Sequence, residues 1–287
     1  MPKKKLLTHQ ITPKMLPAFI KYLHTEERSE NTIEKYVRYT REFISWADGA
    51  PISKVVVIAW KESLQNNPEF APATVNAKLA SVNAFFKFAG WDDCRVKSLR
   101  LQRQVFRDPS KDLTREEYTR LIQAAYNKGN ERLAMVMETL CSTAIRVSEI
   151  KYITVEAVKQ GQTVIKLKGK VRTIILPGKL CKKLLKYIQK NKIASGEVFL
   201  TRSGKGMSRR QIWAEMKGIC KAAGVEASKV FPHNLRHLFA RAYYTIYHDI
   251  AKLADMLGHS SIETTRIYLI STGKEHARQM DRLGFVV

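Results

Sequence analysis

Between residues 30 and 47, Ile33, Tyr36, Val37, Phe43 and Ile44 recur at helical spacing on one face, with Thr40 filling the gap in the stripe. That period predicts an amphipathic helix. Asn31 and Thr32 are candidate caps at its start. Residues 72–89 repeat the theme with Val75, Leu79, Val82, Phe85, Phe86 and Phe88, and Gly90 is placed to stop the helix. Basic residues (Lys35, Arg38, Arg41, Lys78, Lys87) fall between the apolar ones. Residues 1–95 therefore read as a helical domain.

The pattern then changes twice. Residues 96–112 lack periodicity and carry Lys97, Arg100, Arg103 and Arg107 with few acids, which predicts an extended basic linker. A second domain, residues 113–287, opens at Thr114, where Glu117 three residues on completes a capping box. Its middle holds two β-branched runs, 163–168 and 171–176, around Gly169-Lys170. Two residues with Gly first suit a type II′ hairpin turn. Beyond Lys179 the chain reads mostly as helices. The expected fold is mainly α with a small β-sheet in the second, α+β domain.

Charge sharpens this picture. Fifty Lys and Arg against 26 Asp and Glu leave a formal +24 in 287 residues. Such an excess repels itself in a folded chain and suits a polyanion, with nucleic acid ahead of an anionic membrane surface. Up to residue 110 there are 18 basic and 11 acidic residues, and beyond it 32 and 15, so both domains are expected on the same long anion. No apolar run approaches membrane-spanning length, and no signal peptide is expected before the first helix. Cys94, Cys141, Cys181 and Cys220 are widely spaced without a Cys-x-x-Cys pair. Neither a zinc site nor a disulfide framework is expected, and a reducing cytoplasm is the natural setting.

Four clusters carry candidate chemistry. Arg146 follows a polar break after a buried helix, and Glu149 lies one turn on, placed to orient it. Alone, they would be a surface pair of little worth. In the run Phe231 to Phe239, Pro232 suits the first position of a helix whose buried stripe is Leu235, Leu238, Phe239, Ala242 and Ile246. His233, Arg236 and His237 then share another face, a fork-shaped donor flanked by imidazoles that suits a phosphate. In the third run Gly258 ends a helix, Ser260 with Glu263 starts the next, and His259 sits in the turn between. Tyr268 falls two turns into that next helix, where a lone tyrosine is usually packing. The fourth is Lys168 at the tip of the hairpin, with Lys170 close behind; a solvated lysine is the bland alternative.

Together, Arg … Lys on a hairpin … His-x-x-Arg … Leu-Gly-His … Tyr resembles the tyrosine recombinase, or phage integrase, family across essentially the whole chain. Leu257-Gly258-His259-Ser260-Ser261, with Tyr268 nine positions after His259, is the most specific piece. The resemblance implies a helical core-binding domain followed by a catalytic domain. Tyr268 would be the nucleophile, Arg146 and Arg236 the clamp on the scissile phosphate, and Lys168 the general acid. His233 and His259 would hydrogen-bond the phosphate or handle protons, and Glu149 would be a structural support. Ala144 stands where the family commonly has Gly, and the hairpin is one residue tighter than in many members. That leaves Lys170 as an alternative to the favoured Lys168.

The implied reaction cuts and rejoins duplex DNA through a 3′-phosphotyrosyl bond with no metal, cofactor or ATP. Further candidate DNA contacts are Arg38, Arg41, Lys78, Arg103, Lys170, Arg209 and Arg210; the last two, behind the candidate cap Ser208, are equally readable as solvated arginines. The apolar end of the tail Ser271–Val287 suggests a homo-tetramer on DNA. The rivals are a type IB topoisomerase-like relaxase and a non-catalytic DNA-binding module. Whether the chain would serve as a Xer-type resolvase or as the integrase of a phage or mobile element is left open.

Overall fold

The computed structural model describes residues 7–100, 109–167, 170–268, 278 and 280–284. It is 65% helical with one two-stranded sheet, the mainly α class expected. The chain divides into two compact units, Met1–Arg103 and Gln104–Val287.

The N-terminal unit packs four helices: α1 (Met15–Thr25), α2 (Glu30–Ala47), α3 (Lys54–Asn66) and α4 (Pro72–Ala89). Ile33, Val37, Thr40 and Phe43 face inward from α2, and Val75, Leu79, Val82, Phe85 and Phe86 from α4. The core is aromatic at its centre. The Phe43 ring meets Trp60 at 4.9 Å and Phe86 at 5.6 Å, the edge-to-face contacts that aromatic rings favour. Gly90 ends α4 at φ +73°, a left-handed position that glycine occupies without strain. The cap of α2 is Ser29, not Asn31 or Thr32, which lie inside the first turn. Residues 96–99 of the stretch read as linker are stitched to α4: Val96 to Asn83 and Leu99 to Asn76, each by a pair of side-chain to backbone hydrogen bonds.

In the C-terminal unit α6 (Glu131–Thr143) runs through the middle. Leu133, Ala134, Met135, Val136, Met137 and Leu140 are all buried, so α6 is buried over most of its circumference, with Glu131 and Glu138 left to pair with Lys190 and Lys183 at the surface. Around it lie α5 (Arg115–Asn127), α8 (Gly178–Lys190), α9 (Arg209–Ala223) and α10 (Pro232–Tyr247). The expected box at Thr114 forms, and Ser208 caps α9 as expected, within a box completed by Gln211. Smaller elements complete the unit: a 3-10 turn Val147–Tyr152, α7 (Val155–Gln160), the strands β1 (Gln162–Leu167) and β2 (Lys170–Ile175), then α11 (Ile250–Leu257) and α12 (Ile262–Arg266).

Four local expectations are corrected. Leu167 pairs with Lys170, so the residues between the strands are 168 and 169 rather than 169 and 170. The α12 cap is Ser261, whose hydroxyl accepts from the Glu263 amide, rather than Ser260. Helix α12 ends at Arg266, so Tyr268 lies just past it and not two turns inside. On α10, Ala242 and Ile246 are exposed, because its last turns run beyond the core, while Arg236 and Ala240 are buried instead.

Candidate active site

Three loops of the C-terminal unit converge. The first follows α6. Ala144 adopts the left-handed conformation, φ +51°, at the helix end and turns the chain toward Arg146. This is where the resemblance expects glycine; alanine holds the same turn at a cost of about 1 kcal/mol. The Arg146 amide donates to Glu149 Oε2 at 2.7 Å, and its Nη1 meets Glu149 Oε1 at 3.2 Å. Glu149 is buried, whereas the Arg146 side chain remains about half exposed. The carboxylate therefore fixes both ends of an arginine that still faces solvent.

The second element is the start of α10. Asn234 anchors it by donating to the carbonyls of Lys111 and Lys229, at 3.1 and 2.7 Å. Arg236 is 1% exposed, on the inner face rather than beside the histidines in solvent. Its Nη1 donates to the Ala144 carbonyl, and its Nη2 reaches the Leu257 carbonyl at 2.5 Å and His259 Nε2 at 2.9 Å. Its Nε is buried with no partner among the described residues. A buried donor without an acceptor costs about 1–3 kcal/mol, and an anion would satisfy it. Burial lowers the Arg236 pKa, and a hydrogen bond to Tyr268 opposes that effect.

The third loop is the α11–α12 turn. Gly258 closes α11 at φ +64°, and His259 follows. Arginine can only donate, so His259 Nε2 is an acceptor and its proton resides on Nδ1, which donates to Thr265 Oγ1 at 2.9 Å. Burial, then the positive charges of Arg236, Arg146 and Arg172, hold the His259 pKa down at about 4. It is neutral at neutral pH. His233, lowered by partial desolvation and then by Arg236, Arg146 and Arg209, behaves likewise.

Tyr268 is 4% exposed. Its ring stands edge-on to His237 at 4.5 Å and stacks with His259 at 5.8 Å, and His233 lies at 6.1 Å. A cleft of about 710 Å³ opens beside this cluster, lined by Arg146, Arg209, Arg210, Trp213, His233 and Arg236 among others. Tyr268 and His259 are not among its lining residues; they lie behind Arg236.

The structure thus brings together Arg146, Glu149, His233, Arg236, His259 and Tyr268, with Arg209 and Arg210 at the cleft. Lys168 and Arg103 lie outside the described residues, and Lys170 opens β2. Arg38 and Arg41 are exposed on α2. Lys78 is corrected: it is buried, ion-paired with Glu42, and its ammonium lies 4.4 Å from the Phe70 ring and 5.0 Å from Tyr39. No phosphate can share an ammonium so enclosed.

Sequence reasoning missed Arg172. It sits on the inner face of β2 with Ile174, its Nη2 2.9 Å from Glu149 Oε2. A charged residue that faces inward from a strand needs a partner, but Val171, Ile174 and Ile175 occupy both phases of β2, so the sequence did not show which way Arg172 faces. Thr265, whose hydroxyl takes the His259 Nδ1 hydrogen bond, carried no signal either.

Residues 111–275 match the phage integrase family, and residues 16–93 match the N-terminal SAM-like domain of phage integrases. The chain belongs to the phage integrase family. It is a tyrosine recombinase, as its motifs implied. Tyrosine recombinase XerA of Thermococcus kodakarensis is 29% identical over 274 residues, covering 92% of this chain and 93% of that protein. Tyrosine recombinase XerD of Listeria monocytogenes is 27% identical, covering 88% and 93%. Among solved structures, the Tn1549 transposon integrase in complex with transposon right-end DNA shares the integrase fold, with a TM-score of 0.71 at 19% identity over 94% of this chain and 99% of that one. A lambda integrase tetramer bound to a Holliday junction gives 0.70 at 17% identity, over 92% and 78%.

Proposed function

We propose that this integrase-family chain is a site-specific DNA recombinase that cuts and rejoins duplex DNA through a 3′-phosphotyrosyl bond at Tyr268, without metal or ATP. The observation that carries the reading is the packing of Tyr268 against His237 and His259, behind the buried guanidinium of Arg236, beside a cleft lined by four arginines. A binding module has no need to bury a tyrosine among imidazoles and a guanidinium with an unpartnered donor.

In this reading the Tyr268 hydroxyl passes its proton to a neighbouring neutral imidazole as its oxygen attacks the scissile phosphorus, the bond to the 5′ oxygen breaks, and Lys168 protonates the leaving oxygen. Arg146 from the cleft and Arg236 from beneath it neutralise the charge that builds on the non-bridging oxygens. Each such donor contributes about 3–4 kcal/mol by analogy with oxyanion holes. An arriving phosphate draws protons toward His233 and His259, since a nearby anion favours their charged forms. The ester keeps the bond energy, so a 5′ hydroxyl from another strand reverses the step and completes the exchange.

The domain plan follows from the same reading. Residues 1–95 serve as a core-binding domain and 113–287 as the catalytic domain, joined by the basic stretch 96–112. Arg38, Arg41, Arg209 and Arg210 serve as phosphate contacts, with Arg103 and Lys170 as further candidates. Such contacts position the duplex and make binding salt-dependent. Assembly is as a tetramer on DNA through the tail, of which Met280 and Leu283 stand exposed. Truncation from about residue 275 is expected to spare duplex binding and impair synapsis; unchanged recombination by the truncated protein would reject the tail's role.

The deciding experiment is covalent trapping on nicked suicide duplexes covering the DNA that flanks the gene. A protein–DNA adduct that forms without metal and is lost in Tyr268→Phe is the expected result. Tyr268→Phe should bind duplex as tightly as the wild type. Adduct formation that survives Tyr268→Phe places the nucleophile elsewhere.

A further inference from the structure

Helix α10 and the α11–α12 turn supply the polar groups around Tyr268, the loop after α6 supplies Arg146, and one side chain from the hairpin reaches both of those loops. Arg172 Nη2 contacts Glu149 Oε2 at 2.9 Å, and Arg172 Nη1 donates to the Leu257 carbonyl. Each acceptor already serves the site. Glu149 holds the amide and guanidinium of Arg146. The Leu257 carbonyl also receives Arg236 and lies two residues before His259. The Arg172 side chain is only 13% exposed, and its Nε has no partner among the described residues. The turn is built around it: a Cβ on Gly258 would lie 2.4 Å from the Arg172 guanidinium.

A buried arginine is a poor choice for stability alone, since an apolar side chain of similar volume is often neutral or better. A guanidinium is nonetheless planar, with donors in a fixed fork, so two acceptors held by it cannot drift apart. We propose that Arg172 is a positioning residue for the phosphate-binding groups. It fixes Arg146 through Glu149 and His259 through the Leu257 carbonyl, without touching DNA itself. The role rests on the recombinase reading of the site.

The test uses the full-length protein, Arg172→Met and Arg172→Lys. Adduct formation is timed on a nicked duplex with an ordinary scissile phosphodiester and on the same duplex with a methylphosphonate there. The methyl group removes the negative charge that the arginines neutralise, so reaction on it depends less on where they sit. Arg172→Met is expected to slow the phosphodiester reaction about 100-fold, the scale set by a misplacement of ~1 Å. The slowing should be far smaller on the methylphosphonate, with Arg172→Lys in between and duplex affinity unchanged. Equal slowing on both substrates, or none on either, overturns the proposal. A second measurement needs no DNA: hydrogen exchange at residues 146–149 and 257–259 should quicken in Arg172→Met while α5, α6 and α9 stay protected. Unchanged exchange at those loops, or loss of protection throughout, also overturns it. If the wild type forms no adduct on its own flanking DNA, the recombinase reading falls, and the exchange experiment still decides what Arg172 does.

Discussion

In the N-terminal unit Lys78 of α4 is buried against Glu42 of α2, beside the rings of Tyr39 and Phe70. In the C-terminal unit Glu149 and Arg236 are buried too, but their partners come from the loop after α6, strand β2 and the end of α11, and include the main chain. Lys78 closes the edge of an aromatic core, and an apolar side chain of its length would do that as well. Glu149 and Arg236 add directional hydrogen bonds to segments that are also anchored by the buried Ala144, Ile145 and Leu257. A buried charge therefore points to function when it ties distant segments together, and to packing when it ends on one neighbour.

The largest effect should come from breaking the tie. Glu149→Ala leaves Arg172 buried without its carboxylate, and loss of one partner of a buried pair costs about 3–5 kcal/mol. Urea unfolding should show that loss, together with loss of adduct formation. A fall below about 1 kcal/mol would put Glu149 in the same class as Lys78.

An intermediate effect is expected from pH. His259 titrates at about 4 in the folded protein against 6.5 for an ordinary histidine. Between those values the unfolded chain carries the extra proton, so stability must fall as pH drops from about 6.5 toward 4. His233, also lowered, adds to the same slope. Unfolding curves at pH 5 and 7.5 should differ less in His259→Gln than in the wild type; an unchanged difference would mean that His259 is not held neutral.

The smallest effect belongs to Lys78→Met. Stability within about 1 kcal/mol of wild type and unaltered duplex affinity are expected, since the swap conserves volume and removes a buried ammonium. A clear loss of DNA affinity would restore Lys78 as a contact and undo the contrast between the units.

What the sequence disclosed depended on how local each cause was. The faces of α2 and α4, the caps Thr114 and Ser208, and the stops at Gly90 and Gly258 all follow from neighbours within a few residues. Arg146, His233, Arg236, His259 and Tyr268 emerged as a set through a family resemblance, since singly each had an ordinary explanation. The hairpin register was misread because β-branched residues fill both phases of 163–176, and an alternation that is apolar in both phases does not fix which residues turn. Lys78 lies three residues after Val75 and four before Val82, so its spacing already put it on the buried face; its charge argued otherwise until Glu42 appeared beside it. The roles of Arg172 and Thr265 required tertiary neighbours 85 and 6 residues away.

Two guanidinium groups, from Arg172 and Arg236, end on one peptide oxygen, that of Leu257. Every substitution at residue 257 leaves that oxygen where it is, so a mutational scan of the chain passes over it and credits the two arginines alone. Replacing the amide between 257 and 258 by an ester, through semisynthesis, weakens the oxygen as an acceptor without altering any side chain, and makes this silent position audible.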